Sequence, residues 1–541
     1  MQRYALTLDK FIDHGAKWHG ERSVASVTRD GSVGHISYRD LRARSNRLSG
    51  ALLSLGLDVG DRVATLAWNT QHHLEMYYGT TNAGLVCHTL NPRLTVAQLA
   101  MMVNEAADRV LAIASTLTAL LEPLLPLCPT IEHILVLDEV SETSGTDLGS
   151  VPIEPLDAFV SRRGAEVVWG AFDEWSPAGL CFTSGTTGRP KGVVFTHRSN
   201  YLHTLMSIGP DAYCLTADDT ILVAIPMFHA NAWGLPFSAP AVGARLVLPN
   251  RHLDGESLAR LIRDEKVTIA CGVQTVWLSL IDHLDATGTD VPTLKRVTIG
   301  GSKCPDSLIR RMEDRLGVRV QNTWGMTEMS PLGTVESVLA PAAEHRSSGR
   351  PPIGVDLKLT DETGATLAEQ RGAIGHLKVK GAAIIDRYLD AEQDALDEEG
   401  YFDTGDLAML DDEGNLTICG RTKDLIKSGG EWINPAEIEA IVGRDPRVGQ
   451  VAVIGGPHPK WGERPVLVVE LLQDDGVDPT NLIETLRGKV ADWWIPEEVV
   501  RLPRMPLAAT GKIDKLRLRD DFESGQLAPY LFRTARSRTP V

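Results

Sequence analysis

Gly179-Leu180-Cys181-Phe182-Thr183-Ser184-Gly185-Thr186-Thr187-Gly188-Arg189-Pro190-Lys191-Gly192 is the stretch on which the reading of the fold turns. An apolar, strand-like run at 179–182 delivers the chain into ten residues whose glycines let the backbone approach a polyanion. The hydroxyls of Ser184, Thr186 and Thr187, after Thr183, can donate hydrogen bonds, and Arg189 and Lys191 add positive charge. This is the equipment of a phosphate-binding loop at the end of a strand. It is not a Walker A loop, because Gly185 is followed at Walker spacing by Pro190-Lys191-Gly192 and no Gly-Lys-Ser/Thr ending. A plain surface turn of Gly and Thr accounts for short fragments of this kind but poorly for ten residues.

Outward from the loop, apolar β-rich runs at 110–113, 134–137, 221–225, 246–248 and 267–271 alternate with helical patterns, which predicts layered α/β architecture. One helix can be argued in detail: Thr95 and Gln98 form a capping-box pair ahead of Val96, Leu99, Met102 and Val103 on one face. The stretch 220–244 is uncharged, but Pro226, His229, Asn231, Pro236 and Pro240 interrupt it, so it reads as buried loop and strand and not as a membrane span. After about residue 420 the pattern changes to a small α+β unit of roughly 120 residues. There Asn434 can cap a helix with Pro435 in its first position and Glu437 completing the box, while Ile438, Ile441 and Val442 face inward. Strands at 451–454 and 466–472 follow, then a helix carrying Leu482, Leu486 and Val490.

At 541 residues, with 43% hydrophobic and 23% charged residues, the chain is a soluble globular protein too long for one ordinary domain. Its formal net charge of -17 excludes a general nucleic-acid or anionic-membrane surface, which would need a basic face. Arg3, Asp9, Lys10 and Asp13 break up any signal-peptide core near the start, and a cytoplasmic protein is the simplest expectation. Seven cysteines without CxxC spacing indicate neither a zinc cage nor a disulfide framework.

The decapeptide resembles the signature loop of the adenylate-forming enzymes: acyl-CoA synthetases, peptide-synthetase adenylation domains and beetle-type luciferases. Further matches follow in the family's order: Gly300-Gly301-Ser302, Trp324-Gly325-Met326-Thr327-Glu328, Tyr401-Phe402-Asp403-Thr404-Gly405-Asp406, Gly420-Arg421-Thr422-Lys423-Asp424 and Gly511-Lys512. The resemblance implies a large N-terminal body of layered α/β sheets, 1–422, and a small mobile α+β C-terminal domain, 423–541. It implies ATP, Mg2+ and coenzyme A as cofactors. Residues 183–188 and Lys191 would hold phosphates; Gly300, Gly301 and Ser302 would flank adenine, with Trp324, Gly325, Met326 and Thr327 completing the nucleotide site. Asp406 would accept both ribose hydroxyls with Arg421 reaching the same sugar. Glu328 would be the magnesium ligand. Lys512 would be the catalytic lysine that brings carboxylate and α-phosphate together. Lys423 would be the hinge about which the small domain swings. The second orientation would present Lys427, Gly429, Gly430 and Trp432 to the pantetheine arm of coenzyme A.

The fragment Pro226-Met227-Phe228-His229-Ala230-Asn231-Ala232-Trp233 resembles the fatty acyl-CoA synthetase branch, with Trp233 as the gate of an acyl tunnel and His229 beside the reacting carboxylate. Val273, Trp277 and Met329 are further candidates for the acyl wall, together with Gly301. The expected reaction is acyl-adenylate formation followed by transfer to coenzyme A, with a medium-chain acid first and long-chain acids or methylmercaptopropionate as alternatives. Transfer to a carrier protein, or a non-catalytic nucleotide-binding protein on the same fold, are the competing readings. A homodimer is carried over from the family. Gly375-His376-Leu377 and Arg387-Tyr388 depart from the family's usual Gly-Glu-Leu and Gly-Tyr, and are placed outside the reaction centre.

Overall fold

A computed structural model describes residues 1–138, 151–183, 190–301, 304, 306–339, 347–429, 431–445, 447–472, 479–508, 513–527 and 530–531. Four sheets organise them. The first has seven strands in the order Ile153–Pro155, His133–Leu137, Val110–Ala114, Arg62–Leu66, Val86–Leu90, Pro177–Thr183, Lys191–Thr196. Its inner strands are parallel, and those at 86–90, 110–114 and 133–137 are buried throughout, as expected of a sheet covered on both faces. The second sheet has eight strands: Leu332–Val335, Arg319–Gly325, Arg296–Ile299, Ile269–Gly272, Thr220–Val223, Arg245–Leu248, Ser23–Val27 and Val33–Ser37.

One core lies between these sheets and includes Phe11, Tyr77, Tyr78, Ile221, Trp233, Phe237 and Cys271. On the far face of the eight-stranded sheet, Leu258, Leu261, Ile262, Trp277, Leu280, Ile281, Leu284 and Met312 form a second core from the helices Gly255–Asp264, Gln274–Thr287 and Asp306–Leu316. A four-stranded antiparallel sheet, Val355–Thr360, Ile374–Gly381, Phe402–Leu410, Leu416–Arg421, closes the body. The last sheet, around Val448–His458 and Gly462–Leu471, carries the helices Pro435–Val442 and Lys515–Glu523 and has its own apolar centres.

The expected capping box is present: Thr95 accepts from Gln98 N, and the Gln98 side chain accepts from Thr95 N, opening the helix Val96–Ala106. Asn434 caps Pro435–Val442 by accepting from Ala436 N at 3.1 Å. Glu437 does not complete a box there, because it accepts instead from the Asn434 side-chain amide at 3.3 Å. The segment 482–490 corrects a second expectation. It forms a 3-10 helix, Pro479–Leu486, and the chain then turns, leaving Val490 beyond it. The stretch 220–244 contains a helix, Leu235–Val242, as well as strand and loop. Pro236 sits in its first turn, where a missing N–H costs nothing. No disulfide is formed among the described residues.

Candidate active site

Asp406 is 2% exposed and is held by two donors from different sheets. Trp324 Nε1 donates to one carboxylate oxygen at 2.9 Å, and Arg421 Nε lies 2.6 Å from the other. The second contact follows from register, because Asp406 and Arg421 are opposite one another on the hairpin Phe402–Leu410/Leu416–Arg421. The Asp406 amide donates to Thr404 Oγ1 at 3.1 Å, and Thr404 in turn donates to Leu377 O. A two-oxygen acceptor is therefore fixed in place with a guanidinium donor beside it, a pairing that suits a vicinal diol.

Glu328 lies in the 3-10 turn Thr327–Met329, directly after the strand Arg319–Gly325. The turn is clamped from one side: Ile385 N donates to Glu328 O at 3.0 Å, and Ser330 Oγ donates to Ala383 O at 2.8 Å. Tyr388 OH donates to Glu328 Oε1 at 2.9 Å, and Lys191 Nζ stands 4.8 Å from the centre of the Tyr388 ring. Burial first, and then the neighbouring carboxylate, push the Tyr388 phenol far above its ordinary range, so it stays a donor. Leu389 N donates to Gly192 O at 2.8 Å, tying the same segment to the strand that begins at Lys191. Arg387-Tyr388 was expected outside the centre, and that expectation is corrected: the Tyr388 side chain joins Glu328 to Lys191. Arg387 pairs with Asp394 on the surface. His376 was also expected to lie apart, yet its Nδ1 is 3.2 Å from Thr422 Oγ1, next to Lys423.

The segment after Thr220–Val223 is stapled by Asn69, which donates to Val223 O and Ile225 O and accepts from Met227 N. Tyr77 OH also donates to Met227 O. His229 follows, and Ala230, Asn231, Ala232 and Trp233 then all take left-handed backbone angles, with φ of 43°, 52°, 49° and 57°. Such a conformation costs about 1–2 kcal/mol per non-glycine residue, so the surrounding contacts must hold it. His203 is one of them: its ring abuts Gly234, and its Nε2 accepts from Leu332 N at 3.2 Å. The outcome is that Trp233 lies over Gly300, where an added Cβ would stand 2.8 Å from the indole. Gly301 follows with φ +86° at the strand end.

Not every expected site residue converges. Trp233, Trp277 and Met329 belong to three different cores, and Met329 shares its core with Trp324 and Leu377. Val273 opens the helix of Trp277. Gly325 is required by its neighbour, since a Cβ there would fall 1.9 Å from Pro331 O; Met326 N donates to the same oxygen. Lys423 is exposed in the 3-10 turn Thr422–Asp424. Lys427 Nζ lies 5.3 Å from the ring of exposed Trp432, and Gly429 N donates to Trp461 O at 2.9 Å. Ser184, Gly185, Thr186, Thr187, Gly188, Ser302, Gly430 and Lys512 lie outside the described residues.

Mg2+ fits what is present. Among the described residues there is no cluster of three or more acidic, His or Cys side chains. Mg2+ bound through phosphates needs one or two protein carboxylates, and Glu328 is a buried carboxylate with one oxygen committed to Tyr388.

The family model described as AMP-binding enzyme matches residues 13–389, and that described as AMP-binding enzyme C-terminal domain matches 437–512. The 3-methylmercaptopropionyl-CoA ligase of Ruegeria lacuscaerulensis is 41% identical over 97% of this chain and 98% of its own. The medium-chain-fatty-acid–CoA ligase of Ectopseudomonas oleovorans is 40% identical over 96% and 98%. Among solved structures, ATP-bound MatB from Rhodopseudomonas palustris superposes with a TM-score of 0.82 at 26% identity, covering 96% of this chain and 99% of that one.

Proposed function

The chain belongs to the AMP-binding enzyme family, and from that premise we propose the roles its residues play as an AMP-forming acyl-CoA ligase. The overall activity joins a carboxylic acid to coenzyme A at the expense of ATP, through an acyl-adenylate. The observation that carries the assignment of roles is buried Asp406, gripped by Trp324 and Arg421 and only two residues of chain from Lys423 on the Arg421 side.

In this reading Asp406 accepts the ribose hydroxyls, with Arg421 alongside. Gly300 and Gly301 offer the bare backbone on which adenine lies. Lys191 and the loop 183–188 hold phosphate oxygens, while Thr327 donates near the α-phosphate. Glu328 would hold Mg2+, whose charge would offset that of the phosphates when bound. Tyr388 fixes the Glu328 carboxylate and stays protonated while doing so. His229 borders the reacting carboxylate and Trp233 closes the acyl path. Lys512 places its cation between the two anions as they approach, stabilising the charge of the transition state. Rotation at Lys423 then exchanges Lys512 for the face of Lys427, Gly429, Gly430 and Trp432, along which the thiol of coenzyme A arrives. The division at 422/423 separates body from mobile domain.

The acid is a medium-chain fatty acid, with a long-chain acid or methylmercaptopropionate as the alternatives, for the relatives named for each class are about equally similar. No helix among the described residues is long and apolar enough to cross a membrane; the cytoplasm is the proposed location. A homodimer is the expected assembly, to be checked by light scattering.

The test is a panel of acids from C2 to C18, with methylmercaptopropionate and aromatic acids, given ATP, magnesium and coenzyme A while AMP, pyrophosphate and acyl-CoA are followed. Acyl-CoA with AMP and pyrophosphate supports the reading and names the acid. Pyrophosphate exchange without thioester points to a carrier-protein acceptor, and silence across the panel returns the protein to a nucleotide binder.

A further inference from the structure

We propose that Thr89 and Cys181, neighbours on adjacent strands, form a buried cap that positions His229 and Trp233 for the acid half of the reaction. This rests on the ligase reading above. Residues 230–234 are a single left-handed turn, which Gly234 continues at φ 76° after the four residues before it. Its own hydrogen bonds start late, with Ala232 N donating to His229 O at 3.1 Å and Leu235 N to Ala232 O. The amides of Ala230 and Asn231 precede those bonds, at the place where a helical turn leaves donors without a carbonyl of its own. Both residues are buried, so an acceptor must come from another part of the protein.

That acceptor is the buried sulfur of Cys181, to which the amides of Ala230 and Asn231 both donate. Thr89 is in register with Cys181 on the parallel strand beside it, and its Oγ1 stands 3.0 Å from the sulfur. Thr89 Oγ1 donates in turn to Phe228 O at 3.4 Å. The residue before His229 and the two after it are thus tied to one pair of side chains. Gly179, two residues before Cys181 and on the same face of the strand, leaves room for the Asn231 side-chain amide, which would lie 3.8 Å from an added Cβ. Thr183, two residues beyond Cys181 on that face, ends the strand where the phosphate loop begins. One strand therefore sets the start of the phosphate loop and the segment that borders the carboxylate, and with them the spacing of the two anions to be joined. His203 holds the far end of the turn at Gly234. A side chain at 181 without an acceptor would leave two buried donors unpaired, which is costly, and would release four non-glycine residues from a backbone conformation they do not favour.

The experiment measures pyrophosphate exchange in the full-length enzyme, varying ATP and the acid separately, with octanoate, methylmercaptopropionate or whichever acid of the panel the wild type turns over. Cys181→Ala, which removes the acceptor, should raise KM for the acid about fivefold to tenfold, the effect of one or two modest hydrogen bonds, against about twofold or less for ATP. Cys181→Ser, which keeps an acceptor in the same place, should recover most of that loss. Thr89→Val, of the same shape without the hydroxyl, should shift KM for the acid in the same direction by a smaller factor, and it carries the test if circular dichroism shows Cys181→Ala to be unfolded. Equal losses toward ATP and acid would mean that the pair only packs the strand, and would overturn the proposal. So would a Cys181→Ser enzyme as impaired as Cys181→Ala, or a Thr89→Val enzyme with an unchanged KM for the acid. Absence of exchange with every acid in the wild type overturns the ligase reading and this inference with it.

Discussion

Glu328 has two carboxylate oxygens, and Tyr388 occupies one of them at 2.9 Å. Replacing Tyr388 with Phe leaves that oxygen without its donor and the carboxylate free to turn. The expected outcome is a several-fold higher magnesium requirement for pyrophosphate exchange, with AMP binding in the absence of metal unchanged; a magnesium titration of the variant checks it. Asp406, Arg421 and Glu328 were each legible from short motifs, because each stands at a fixed place in a stretch with little freedom of length. Tyr388 was not, since its role arises from a contact across 60 residues that no local pattern encodes. The same holds for His203, whose neutral ring links Gly234 to Leu332.

At the scale of single elements, the turn at Gly429 combines φ +61° with an indole, Trp461, 2.8 Å from where a Cβ would stand. Gly429→Ala is therefore strained in backbone and in space at once. It should reduce acyl-CoA formation at least tenfold, a barrier change of about 1.4 kcal/mol or more, while pyrophosphate exchange remains within about twofold of the wild type. Equal losses in both assays would place this turn in the first half-reaction. The helix beginning at Val96 was readable because Thr95 and Gln98 cap it locally. The segment 220–244 was only partly so. Its prolines suggested loop, but Pro236 is harmless in a first turn, and the left-handed run 230–233 is set by tertiary contacts and not by any residue's own preference.

Across the whole molecule, acid sensitivity is built into buried, neutral histidines. Burial holds His73 and His197 down to about 4 and His203 to about 3, against the usual 6.5. Between these values and 6.5 the unfolded chain binds protons that the native protein refuses. Stability is thus fully present above pH 6.5 and is lost as pH falls toward 4, by about 1.4 kcal/mol per pH unit for each group. The midpoint of thermal unfolding, followed by circular dichroism, should stay level near pH 7 to 8 and drop steeply from pH 6.5 to 4.5. The division into body and small domain was visible as a change of sequence texture near residue 420, because each part buries its own apolar centre.

The pairing of Asp406 with Arg421, two residues ahead of exposed Lys423, also decides how a protease meets the chain. Arg421 and Lys423 are neighbouring trypsin sites in the same connector, and the Arg421 side chain is engaged on the Asp406 carboxylate whereas Lys423 is exposed. A nucleotide seated there should shield the bond after Arg421 and leave the bond after Lys423 open. Mass spectrometry of a brief digest would then show the two N-terminal fragments, 1–421 and 1–423, shifting in ratio toward the longer one as nucleotide is added, a footprint of occupancy that requires no turnover at all.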